Sequence, residues 1–68
     1  MNLGVSPRYN PPTENQLSFI HNLMHRKHYM EYEIFNQMKK ENIKLIGWNF
    51  QNITVSDASN IIDWLKRQ

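Results

Sequence analysis

Residues 13–27, TENQLSFIHNLMHRK, contain the clearest helix signal in the chain and decide its fold class. Thr13 and Gln16 have the spacing of a capping box, in which the hydroxyl accepts from the Gln16 amide and the glutamine side chain reaches back to the Thr13 N–H. Apolar side chains then recur at helical spacing, at Leu17, Ile20, Leu23 and Met24. The stretch predicts an amphipathic helix from Thr13 to about Lys27.

Two further stretches carry helical patterns. Thr54 and Asp57 open a second capping signature, and apolar residues follow it at Val55, Ala58, Ile62 and Leu65. In residues 30–41, Glu31 and Glu33 come early and Lys39 and Lys40 late, which is the order that the helix dipole favours. No glycine or proline separates this segment from the first helix, so one long helix is an alternative. Asn42 is a reasonable stop, because asparagine tolerates the left-handed conformation.

The rest of the chain consists of a connection and an arm. Residues 43–52, IKLIGWNFQN, are too apolar for a solvated loop and contain a helix-breaking glycine, so we expect a packed connection without a strand partner. Residues 1–12 contain all three prolines and predict an extended N-terminal arm before a domain of residues 13–68. The expected fold is all-α, a compact three-helix bundle with that arm. Its expected core is Leu17, Ile20, Leu23, Ile34, Phe35, Met38, Ala58, Ile62 and Leu65.

Composition narrows the function classes. The chain has 68 residues, no cysteine and a net charge of +2. A βαβ unit alone takes about 30 residues, so there is no room for a nucleotide-binding sheet beside a substrate site. Without cysteine there is neither a disulfide framework nor a thiolate zinc site. No apolar run approaches the about 18 residues of a membrane span, so we expect a cytoplasmic protein that acts without a membrane.

Three histidines are the first candidates for chemistry. His21, His25 and His28 fall on one helical stripe, but three side chains of one straight helix converge poorly on a tetrahedral metal ion. Ser18 and Asn22 lie near His21 and could form a nucleophile with its base and an orienting group. A solvated helix face, however, offers no buried pocket that would shift a pKa. We therefore expect no enzyme activity and assign no catalytic residue, no metal site and no cofactor.

Binding residues are better candidates. Arg26 and Lys27 belong to a basic cluster, HRKH, which would contact nucleic acid, and the neighbouring Tyr29 and Tyr32 could stack on single-stranded bases. On an ideal helix Trp64 lies at the border of the apolar face, so it either joins the core or anchors a protein partner. We assign Trp64, Tyr29 and Tyr32 to partner binding.

The other aromatic residues have a structural interpretation. Trp48 and Phe50 are expected to cap the open end of the core, because so small a chain needs every large side chain. A homodimer is a further alternative, since it would bury Trp64 and the apolar connection.

Two motifs together resemble a known module. Pro12-Thr13-x-x-Gln16, with Ile20 and Leu23 after it, and Ile53-Thr54-x-x-x-Ala58-Ser59, with Ile62 and Leu65 after it, look like the small helical module at the C-terminus of many phage and prophage DNA-metabolism proteins. These include single-strand annealing proteins, recombination nucleases and replication factors. The resemblance covers about residues 12–67. A glycine common after the first helix of such modules is replaced here around Lys27 and His28.

The resemblance implies a phage or prophage context and an accessory, non-catalytic role near DNA. A free-standing module of this kind would be an adaptor that docks on a replication or recombination protein. Alternatively it would inhibit a host enzyme or defence complex, and direct binding of single-stranded nucleic acid is a further alternative.

Overall fold

Three α-helices make up most of residues 10–68, the part of the chain that this computed structural model describes. They are α1, Glu14–Lys27, α2, Glu31–Lys40, and α3, Val55–Lys66. The described residues contain no strand, and the predicted all-α three-helix bundle is confirmed. Residues 1–9 of the predicted arm lie outside the described residues. None of the three helices has the length and apolar character needed to cross a membrane.

Both predicted capping boxes are present. In α1 the Gln16 amide donates to the Thr13 hydroxyl at 3.0 Å, and the Thr13 amide donates to the Gln16 side chain at 3.1 Å. In α3 the Asp57 amide donates to the Thr54 hydroxyl at 3.0 Å, and the Thr54 amide donates to the Asp57 carboxylate at 3.1 Å. These bonds satisfy N–H groups that a helix start otherwise leaves without partners, so they fix both starts locally.

The first two helices are separate, because the chain reverses at His28. This residue has φ 62° and ψ 43°, the left-handed conformation, and the next amide, of Tyr29, donates back to the Met24 carbonyl at 3.0 Å. Asn42 ends α2 in the same way, with φ 63°, and the Ile43 amide donates to the Met38 carbonyl at 2.9 Å. The stop at Asn42 is as predicted, whereas His28 supplies a turn for which the sequence offered no glycine.

Replacing His28 with glycine should stabilise the protein. A left-handed residue other than glycine costs about 1 to 2 kcal/mol, and part of this gain is offset because glycine loses more freedom on folding. We expect His28→Gly to raise the free energy of unfolding by about 0.5 to 1 kcal/mol, as measured by urea denaturation. The matched control is His25→Gly, within α1, which should lower it by about 0.5 kcal/mol. A lower denaturation midpoint for His28→Gly would contradict the left-handed turn.

The core is formed by all three helices and by the end of the segment that connects α2 to α3. Seven of the nine predicted core residues are buried, while Leu17 and Phe35 are only half-buried. Three further apolar side chains are buried, those of Ile53, Ile61 and Trp64. The complete buried apolar set is Ile20, Leu23, Ile34, Met38, Ile53, Ala58, Ile61, Ile62, Trp64 and Leu65.

α2 is attached differently from the other two helices. α1 and α3 pack directly against each other, whereas α2 reaches the core through Ile34 and Met38. In addition, a carboxylate at each end of α2 accepts a hydrogen bond from another part of the chain. Glu31 accepts a hydrogen bond from the Phe50 amide at 2.8 Å, and Glu41 accepts one from the Trp64 indole N–H at 3.0 Å. These two bonds link α2 to the connection and to α3.

Candidate functional site

Trp64 is not available to a partner. Its side chain is 1% exposed, so the partial exposure on which its assignment to partner binding depended is wrong, and the alternative that it joins the core is confirmed. The indole packs edge-on against Tyr29, with ring centroids 5.3 Å apart, and donates to Glu41. The buried residues of α3 form an arc wider than one apolar stripe, and Trp64 lies within it.

For Trp48 the prediction of burial is wrong in the opposite direction. It was expected to cap the core, yet it is 75% exposed, and Ile46, two residues before it, is 72% exposed. Phe50 does pack against the core, with its ring 5.7 Å from that of Phe35. Ile46 and Trp48 are thus two large apolar side chains exposed close together in the chain, which makes them candidates for a contact surface.

The backbone that carries Trp48 is fixed by one buried carboxylate. We call residues 41–54 the connecting segment. Asp57 is 2% exposed and accepts from the Ile46 amide at 2.9 Å and from the Gly47 amide at 2.8 Å, while also capping α3. A charged group this deeply buried is stable only when hydrogen-bonded, and here backbone amides surround it. The apolar side chains on either side of Gly47 therefore project from an anchored backbone.

Two other features hold the connecting segment in place. The Asn52 side chain accepts from the amides of Trp48, at 2.7 Å, and Asn49, at 3.1 Å. Gly47 is buried against the returning chain, where an added Cβ would lie 2.4 Å from the Asn52 carbonyl oxygen. Only glycine permits this close approach, and the segment is closed into a compact loop as a result.

A groove lies between α2 and the connecting segment, with a volume of about 660 Å³. Its floor consists of half-buried apolar residues that pack on the core, Phe35, Ile43 and Leu45. Trp48 stands at its rim. The remaining lining residues are Asn36, Lys39, Asn42, Lys44 and Gly47. The lining thus combines an apolar floor, an exposed indole and two lysines, and contains no carboxylate.

The two predicted partner-binding tyrosines differ in their accessibility. Tyr32 is 64% exposed and lies one turn before Phe35 and Asn36 on the same face of α2, so it continues the face that borders the groove. Tyr29 is half-buried against Trp64 and is mainly a packing residue. Tyr32 therefore remains a candidate contact residue, whereas the expectation of a free Tyr29 ring is not met.

The predicted basic cluster is less open than its sequence suggests. Arg26 is exposed in the last turn of α1, but the Lys27 ammonium donates to the backbone carbonyl of Gln68 at 2.8 Å. Lys27 is half-buried there and holds the end of α1 against the residues that follow α3. Arg26 alone keeps the exposed position expected of a nucleic-acid contact.

The histidines do not form a shared site. His21 packs edge-on against Phe50, with centroids 5.9 Å apart, and His28 leaves the helical stripe because it occupies the left-handed turn. Residues 10–68 contain no group of three or more histidine, aspartate or glutamate side chains placed to hold a metal ion. Ser18 and Asn22 border a shallow depression beside His21, and all three side chains are exposed to solvent.

Two residues of the candidate site escaped sequence reasoning. Asp57 was recognised as a helix cap, but a cap on the helix surface needs only one carboxylate oxygen, and nothing local shows that the other is buried. Trp48 was assigned to the core because of its size. Gly47 and Asn52, both frequent turn residues, were the available signal of a tight loop in this stretch.

Comparison of the chain with protein-family models, with curated proteins and with solved structures finds no match in any of the three.

Proposed function

We propose that this chain is a non-enzymatic, cytoplasmic adaptor that binds a protein partner in phage or prophage DNA replication or recombination. The observation that carries the proposal is the groove with Trp48 at its rim. Tryptophan is enriched among residues that dominate binding energy at protein interfaces. The phage and DNA context rests on the resemblance of residues 12–67 to the helical module described above.

The way in which Trp48 is held supports a binding role. Asp57 and Asn52 accept hydrogen bonds from the backbone on both sides of the indole, so little main-chain freedom is left to lose when a partner binds. An indole on a fixed loop contributes more to affinity than one on a mobile loop, because the fixed loop loses less conformational entropy when the partner binds.

Trp48→Ala should abolish partner capture while leaving the fold intact. We expect the wild-type protein, immobilised and exposed to a bacterial host lysate, to retain a replication or recombination protein that mass spectrometry identifies. Loss of a central hot-spot residue typically costs about 2 kcal/mol or more, which is a weakening of about thirtyfold. The variant should therefore retain little of that partner.

The matched control is Phe19→Ala, which removes another partly exposed aromatic side chain, on α1 and outside the groove lining. It should retain the partner at the wild-type level. Equal retention by Trp48→Ala and wild type would contradict the proposal. Retention of a host enzyme or defence protein instead would favour the inhibitor alternative, and retention of single-stranded DNA through Arg26 would favour the nucleic-acid alternative.

A further inference from the structure

We infer that the groove between α2 and the connecting segment takes an acidic peptide segment with apolar anchor residues. This inference rests on the proposed function and names the chemistry of the partner. It follows from three properties of the groove, namely its apolar floor, the sign of its charge and the kind of surface it offers.

The floor indicates apolar anchors in the partner. Phe35, Ile43 and Leu45 are half-buried from the groove side and pack on the core from the other side. Together with the Trp48 indole they form an apolar surface that a leucine-sized or phenylalanine-sized side chain can cover. Burying such a side chain is favourable in proportion to the apolar area that it removes from water, so one or two anchors would supply most of the affinity of a short peptide.

The charges indicate acidic neighbours for those anchors. Lys39 and Lys44 line the groove from its two sides, one on α2 and one on the connecting segment, and both are exposed. The lining contains these two ammonium groups and no carboxylate, on a chain of net charge +2. This local charge attracts a negative partner and disfavours a basic one.

A peptide fits this surface better than a nucleic acid does. Base stacking needs successive exposed rings, and the lining presents one, Trp48, since the Phe35 ring is half-buried in the floor against Phe50. Two lysines give few phosphate contacts, whereas the side-chain amides of Asn36 and Asn42 are suited to peptide N–H and carbonyl groups.

The inference is tested by fluorescence polarisation with the full chain and four labelled probes of similar length. These are an acidic peptide with leucine and phenylalanine anchors, its basic counterpart with lysine for each acidic residue, an acidic peptide with serine for each anchor, and a thymidine oligonucleotide. We expect the first probe to bind at least about tenfold more tightly than the other three, and Trp48→Ala to weaken it by about tenfold or more.

A charge swap provides the decisive variant. Lys39→Glu with Lys44→Glu should reverse the preference, so that the basic peptide binds more tightly than the acidic one. The matched control, Lys40→Glu with Arg67→Glu, makes the same change of net charge at exposed residues outside the lining and should keep the wild-type preference. Circular dichroism of each variant verifies the fold.

Several outcomes would overturn the inference. Equal binding of the two anchored peptides, tighter binding of the oligonucleotide, or absence of binding to every probe would each do so. A Trp48-dependent dimer seen by analytical ultracentrifugation would instead assign the groove to a second copy of the chain. Capture of a basic or neutral protein that Trp48→Ala abolishes would refute the acidic partner and still leave the proposed adaptor function standing.

Discussion

Trp64→Ala should leave most of the protein unfolded at room temperature, whereas Trp48→Ala should leave its stability within about 0.5 kcal/mol of wild type. The two tryptophans are 1% and 75% exposed, so the same substitution removes a core side chain in one case and a surface side chain in the other. Truncating a buried tryptophan typically costs about 3 to 5 kcal/mol. A single core of this size supplies about that much stability in total.

The loss at Trp64 has three components. Removal of the indole opens a cavity beside residues of α3 that are themselves fully buried, such as Ile61 and Leu65. The edge contact with Tyr29 disappears, and Glu41 loses the indole N–H that ties the end of α2 to α3. The last two effects weaken the attachment of neighbouring elements, so the damage extends beyond the cavity itself.

The measurement is urea denaturation followed by far-ultraviolet circular dichroism, a signal that the helical backbone dominates. Trp64→Phe separates the components, because it keeps a ring beside Tyr29 and removes the N–H donor. It should lie between wild type and Trp64→Ala. A cooperative transition for Trp64→Ala at the wild-type midpoint would show that the indole is not in the core, and loss of structure in Trp48→Ala would contradict its exposed position.

This pair of residues also shows how far the sequence alone could predict the molecule. Capping boxes and helix stops depend on residues within about four positions of one another, so the starts at Thr13 and Thr54 and the stop at Asn42 were predictable. Side-chain burial depends on how many sides of a helix are covered. A single-helix projection assumes a narrow covered stripe, whereas the buried residues of α3 form a wider continuous arc with Trp64 at its edge.

The candidate site was harder to predict, because a contact between distant residues creates it. Trp48 faces outward since the neighbouring amides are bound by Asp57, ten positions after Gly47 in the chain. No local pattern specifies such a bond. Tyr32 was predicted as a contact residue from its type and its place on α2, and its helical position next to the groove supports that role.

Asp57→Ala is expected to be comparable in effect to Trp64→Ala, at about 3 to 5 kcal/mol, because a buried amide left without an acceptor costs about 1 to 3 kcal/mol and a partly buried one costs less. Three amides lose their acceptor, the buried one of Gly47 and the partly buried ones of Ile46 and Thr54. Asp57→Asn should cost less, since one side-chain oxygen remains, but its NH₂ group would face N–H donors and cannot accept from them.

The control for Asp57 is Asp63→Ala, which removes an exposed carboxylate from the same helix and should change the free energy of unfolding by no more than about 0.5 kcal/mol.

Asp57→Asn is the variant that should stay folded, so it can show what the lost hydrogen bonds do to the connecting segment. In its ¹H–¹⁵N spectrum the Ile46 and Gly47 amides should shift strongly and exchange faster with solvent, while the helix α1 amides should change little. Because the same bonds hold Trp48 at the rim of the groove, this variant should also bind the anchored acidic peptide more weakly than wild type. An unchanged denaturation midpoint with unshifted amides would show that Asp57 does not hold the connecting segment, and the basis for a preformed groove would be lost.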